Sequence, residues 1–107
     1  MGIFTRSYVA DFNQELENYH NSKNAVLLDV RTPEEYENGR VPGSRNLPLH
    51  QIAYIQKRIY NKNTPLYIYC HSGRRSKEAV EVIKQMGYTN VNDMGGIIQY
   101  RGEVEKS

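Results

Sequence analysis

Two short, largely apolar runs constrain this chain most: AVLLDV at 25–30, apolar but for Asp29, and LYIYC at 66–70. A strand with one wet face alternates polar and apolar residues, whereas a run apolar throughout suits a strand covered on both faces, as in parallel sheets flanked by helices. The segments around these runs carry helical periodicity. Val9, Phe12, Leu16 and Tyr19, spaced three or four apart, predict an amphipathic helix over 9–19. Thr32-Pro33-Glu34-Glu35 spells a helix start, with Thr as N-cap, Pro in the first position and Glu35 placed to complete a capping box. Asn38-Gly39 ends that helix. Residues 39–48 are turn-rich, with a short strand near 45–47. Leu49, Ile52, Ile55 and Ile59 mark one stripe of a further helix, broken at Thr64-Pro65. From 75 to 86 helical spacing returns, with Ala79, Val82, Ile83 and Met86 on one face and Gly87 closing the C-terminus. A short strand near 90–94, the pair Gly95-Gly96 and a final helical turn complete the pattern. Strands separated by helices need crossover connections. The expectation is therefore α/β, a single-domain open parallel sheet with helices on both faces.

Size and charge narrow the function. At 107 residues the chain supports one core, so residues 1–107 are expected to form a single domain. A formal charge of +2 is too small for a general nucleic-acid or membrane-surface binder, so any preference for anions must be local. A lone cysteine makes neither an intramolecular disulfide nor a thiolate zinc site. His20, His50 and His71 show no ligand spacing, and no metal or cofactor is expected. No apolar run approaches the roughly 20 residues that span a bilayer, and a reducing cytoplasm is the expected compartment.

The lone cysteine, Cys70, ends the second apolar run and is followed by His71, Ser72, Gly73, Arg74 and Arg75. In open parallel sheets ligands bind beyond the carboxyl ends of the strands. A loop of 70–75 entering a helix N-terminus can wrap an anion with its amides, and Gly73 lets those amides converge. That field, with Arg74 and Arg75 beside it, predicts an accessible sulfur held as thiolate. The competing reading is a small apolar core residue without chemistry. An inert cysteine has no use for a glycine turn or two adjacent arginines, which the helix dipole disfavours unless an anion joins them.

These residues carry a resemblance. Cys70-His71-Ser72-Gly73-Arg74-Arg75-Ser76 fits Cys-x-x-Gly-x-Arg-Ser, Asp29-Val30-Arg31 fits Asp-x-Arg, and residues 39–48 fit Gly-His-Ile-Pro-Gly-Ala-x-Asn-x-Pro. Gly87-Tyr88, Asn90-Val91 and Gly95-Gly96 fit the closing segment. Together, over residues 25–100, they resemble the rhodanese-like domains, sulfurtransferases that carry sulfane sulfur as a cysteine persulfide. Arg40, Ser44 and Tyr100 depart from the family's usual His, Ala and Trp, changes expected at the pocket rim.

The resemblance implies Cys70 as nucleophile and His71, Ser72, Gly73, Arg74 and Arg75 as the substrate-binding loop, with Arg74 the stronger candidate for substrate contact and Arg75 for bracing. Asp29, Arg31 and Ser76 are implied as structural neighbours of the site. Related phosphatases place Arg six residues after the nucleophile; here the sixth is Ser76 and Arg75 is the fifth, which favours sulfur over phosphate. The implied partners are a small anionic sulfur donor such as thiosulfate and a thiophilic acceptor, cyanide or a cellular thiol. An alternative is a persulfide carrier loaded by a protein donor. A redox sensor would lack a resolving thiol in its own chain.

Overall fold

The computed structural model describes residues 10–107. The two apolar runs form adjacent parallel strands, β1 (Val26–Asp29) and β3 (Leu66–Cys70), every residue of which is buried. Outside them lie β2 (Arg45–Asn46) beside β1 and β4 (Val91–Gly96) beside β3, giving a four-stranded parallel sheet in the order β2-β1-β3-β4. The expected α/β architecture is the one observed.

Alternation along β3 sends its side chains to two cores. Leu66, Ile68 and Cys70 join Leu28 and Val30 under α3 (Ile55–Arg58) and α4 (Arg74–Gln85), where Ile55, Ala79 and Ile83 are fully buried. Tyr67 and Tyr69 point the other way, to Leu27, Met94 and Phe12 of α1 (Phe12–His20). Each fully buried aliphatic or aromatic side chain contributes roughly 1.5–3 kcal/mol, so the two cores fix the sheet between helices. Among the described residues no helix is long and apolar enough to cross a membrane.

Local signals set the helix ends. Asp11 caps α1 by accepting the Gln14 amide, which starts that helix later than periodicity predicts; Val9 lies outside the described residues. In α2 (Pro33–Asn38) the capping box is complete: Thr32 accepts the Glu35 amide at 3.2 Å and Glu35 accepts the Thr32 amide at 2.9 Å. The single helix expected from the stripe at Leu49 is instead a 3-10 helix, Leu49–Tyr54, followed by the short α3, with a non-helical Gln51 between turns. Leu49, Ile52 and Ile55 are spaced by three, the 3-10 period, and only Ile55 to Ile59 takes the α spacing of four. β4 runs further than expected, through Gly95-Gly96, with a register slip opposite the Ile68/Tyr69 step.

Candidate active site

Cys70 is the last residue of β3, and its chain turns at Gly73, the N-cap of α4, with φ +104°. That left-handed backbone is one a side chain rarely adopts, and it folds the amides back over the strand end. The Cys70 Sγ accepts the N–H of Gly73 at 3.0 Å and that of Ser76 at 3.3 Å. The connection is shorter than predicted: His71–Gly73 alone are irregular, and Arg74 and Arg75 already belong to the first turn of α4.

The thiol is not exposed as the sequence suggests. Cys70 is 1% accessible and packs with Ile68, Ala79 and their neighbours. The inert-core reading foresees that burial but has no use for two N–H groups aimed at the sulfur. The loop that follows the thiol rests on a close floor. Gly96 lies so near the loop that a Cβ there would be 2.2 Å from the His71 carbonyl oxygen and 2.6 Å from the Ser72 Cα. Only a residue without a side chain allows this approach. The Ile98 amide also donates to the His71 carbonyl at 3.2 Å, holding the loop to the chain beyond β4.

The arginines divide into committed and free. Arg75, assigned from sequence to the substrate-binding loop, is tied elsewhere: Nη1 and Nη2 donate to Glu35 Oε1 at 2.7 Å and Oε2 at 3.0 Å. Its guanidinium is held charged above its ordinary value chiefly by that hydrogen bond, against desolvation, with smaller contributions from the charges of Glu35, Cys70 and Asp29. Glu35 in turn is lowered from 4.5 to about 2, first by Arg75. Arg75 thus makes a bracing contact between α4 and α2. Arg31 is 5% exposed and its Nη2 meets the Asp29 carboxylate at 2.7 Å and the Gly39 carbonyl at 2.6 Å. Burial opposes the Arg31 charge, but the hydrogen bond and charge of Asp29 outweigh it and the guanidinium stays raised. Asp29 and Arg31 therefore form a buried pair at the end of β1. Arg74 is exposed, and among the described residues no hydrogen bond or ion pair engages its side chain. His71 and Ser72 are exposed beside it.

Ser76 is fully buried, and its Oγ lies 2.8 Å from Asp93 Oδ1 on β4 and 3.1 Å from the Gly73 carbonyl. Sequence reasoning missed both Glu35 as the partner of Arg75 and Asp93 as the partner of Ser76. The three departures at the predicted rim do structural work: Arg40 stacks on the Tyr36 ring at 4.6 Å, Ser44 bonds Tyr69 and the Val41 carbonyl, and Tyr100 packs on Phe12.

Comparison with known proteins agrees with this geometry. The sequence pattern of the Rhodanese-like domain matches residues 12–102. Thiosulfate sulfurtransferase PspE of Escherichia coli strain K12 is 39% identical over 71 residues, covering 65% of this chain and 68% of that protein. A sulfurtransferase of Allochromatium vinosum is 39% identical over 80 residues, 74% of each chain. Among solved structures, an E. coli rhodanese with anions superimposes with TM-score 0.72 at 34% identity, covering 78% of this chain and 99% of that one. A rhodanese-like domain protein of Staphylococcus aureus gives 0.71 at 32% identity, covering 92% and 97%. With a thiol at a strand end, an amide loop above it and sulfurtransferases among its relatives, the chain belongs to the rhodanese-like domain family.

Proposed function

We propose that this protein is a thiosulfate-type sulfurtransferase that carries sulfane sulfur as a persulfide on Cys70. The observation that carries the reading is the pair of N–H donors, from Gly73 and Ser76, converging on Sγ at 3.0 and 3.3 Å. Donors fixed before reaction, inside a dry site, hold negative charge on sulfur without solvent reorganisation.

The Cys70 thiolate attacks the outer sulfur of thiosulfate with a lone pair, the sulfur–sulfur bond of the donor breaks, and its electron pair leaves with sulfite. In the second step the acceptor, cyanide or a thiolate, attacks the terminal sulfur of the persulfide and the Cys70 thiolate is regenerated. No proton donor or external oxidant is needed. Because Cys70 is buried, the donor reaches it only through displacement at the exposed rim of His71, Ser72 and Arg74. Arg74 is the cation free to draw a dianion there. The E. coli rhodanese solved with anions is a related precedent for such a partner. A reducing cytoplasm suits a thiol that must stay unoxidised between cycles.

The test is intact-mass spectrometry after incubation with thiosulfate, for the native chain and for Cys70→Ser. The native chain gains the mass of one sulfur atom, removable by cyanide, and Cys70→Ser gains none. Sulfur transfer retained by Cys70→Ser refutes the assignment.

A further inference from the structure

The amides on Sγ are held from behind by a carboxylate that the reaction never touches. Asp93 Oδ1 accepts from the Ser76 hydroxyl at 2.8 Å and from the Gly95 N–H at 2.9 Å. Ser76 has one hydroxyl hydrogen and three nearby acceptors, Asp93, the Gly73 carbonyl at 3.1 Å and the Gly95 carbonyl at 3.5 Å. The carboxylate is the closest and the charged one, and Gly73 already receives the Lys77 amide at 3.2 Å, so the hydrogen belongs to Asp93. The same residue whose hydroxyl is fixed in this way presents its backbone N–H to Sγ.

The second bond of Asp93 shapes the floor. Its carboxylate accepts the amide two residues on, a turn that Asp and Asn form readily. This turn coincides with the register slip in which Ile68 pairs with Asp93 but Tyr69 pairs with Gly95, leaving Met94 over. The slip sets Gly96 opposite Cys70, beneath the His71 carbonyl. One carboxylate therefore fixes both the helix start that supplies an amide to sulfur and the strand end on which the loop rests.

We infer that Asp93 is a positioning residue for sulfur transfer, acting through Ser76 and Gly95 to keep the loop amides aimed at the Cys70 sulfur. The inference rests on the sulfurtransferase reading of Cys70 for its role in turnover, and its geometric core is testable apart from that reading.

The experiment compares Asp93→Asn with Asp93→Ala. Both remove the same charge, but only Asn keeps an oxygen acceptor for Ser76 and Gly95. Two rates are measured: persulfide formation from thiosulfate, and alkylation of Cys70 by iodoacetamide divided by the rate of loop opening read from hydrogen exchange at the Gly73 amide, which reports the sulfur nucleophile whether or not sulfur is ever transferred. Asp93→Asn is expected to exceed Asp93→Ala by about tenfold in persulfide formation, the scale of misplaced catalytic groups, and to exceed it in alkylation as well. Equal rates for the two variants in both assays overturn the inference. If Asp93→Ala does not fold, Ser76→Ala, which removes only the hydroxyl, is read against the native chain: slower persulfide formation and alkylation support the inference, and unchanged rates overturn it. If the native chain takes up no sulfur, the function proposed above fails, while the alkylation contrast still decides the role of Asp93.

Discussion

Replacing Glu35 with Gln separates two jobs that one side chain performs. Gln at this position still completes the capping box of α2, because its side-chain oxygen accepts the Thr32 amide. What it loses is the charge opposite Arg75, across two hydrogen bonds of 2.7 and 3.0 Å. Lowering the Glu35 carboxyl from 4.5 to about 2 corresponds to about 3 kcal/mol at face value. Both side chains are a third exposed, 34% and 33%, and water screens the pair, so about 1 kcal/mol is expected to survive. In a domain near this size that is a fall in Tm of about 4–8 °C. The sign with pH follows from linkage. A carboxyl whose folded value is depressed contributes fully above its unfolded value, 4.5 here, and that contribution is lost as pH falls through the folded value, about 2. The difference between native chain and Glu35→Gln should therefore be full near neutrality, shrink below about pH 5 and be more than half gone by about pH 3. Urea titration followed by far-ultraviolet circular dichroism across that range measures it. A difference that stays constant with pH, or is absent at neutrality, refutes the ion pair as the source.

Gly96→Ala should displace the loop, because the atoms its Cβ meets, at 2.2 and 2.6 Å, are backbone and cannot swing aside. The expected cost is about 1–3 kcal/mol in stability, with persulfide formation falling further than stability does; native rates in a folded Gly96→Ala chain would contradict the floor described for the loop. Tyr69→Phe should cost about 1–3 kcal/mol by urea titration, because the buried Val41 amide, now 3.1 Å from the Tyr69 hydroxyl, loses its acceptor. Unchanged stability would mean that amide finds another partner.

What was legible in the sequence was whatever local chemistry determines. The runs at 25–30 and 66–70 identify the central strands because burial on both faces leaves no room for polar alternation. Thr32-Pro33 and Glu35 locate α2, since a cap is made within four residues. Cys70, Gly73 and the start of α4 could be placed together because a strand, a glycine turn and a helix are contiguous. The partners of Arg75 and Ser76 were not legible. Glu35 lies 40 residues before Arg75, and Asp93 lies 17 after Ser76. Glu35 had a sufficient local explanation as a cap, and Asp93 lay in a segment read only as a short strand, so neither bond showed. The burial of Cys70 was misread for a related reason: it packs with Ile68 of its own strand and Ala79 of α4 in one core, and the sequence around the thiol carries no sign of how closely those side chains meet.

The same long-range pairs change which part of the site can hold charge. Read along the chain, Arg74 and Arg75 stand as two cations beside a thiol, with Arg31 a structural neighbour. In the fold Glu35 takes Arg75 and Asp29 takes Arg31, and both of those pairs are close to neutral at a distance. Among the described residues no ion pair compensates Arg74, but it is exposed, and solvent and salt weaken its field within about 10 Å. Negative charge developing on a sulfur 1% exposed to solvent, as the proposed function requires, would therefore depend on dipoles in direct contact with it more than on side-chain cations. The N–H groups of Gly73 and Ser76 are in contact at 3.0 and 3.3 Å, and their aim is set by the turn at Gly73 and the anchored hydroxyl of Ser76. On the proposed function the arginines would have separate tasks, Arg74 in drawing the donor and Arg75 in clamping α4 to α2, while main-chain geometry would hold the charge that develops on sulfur.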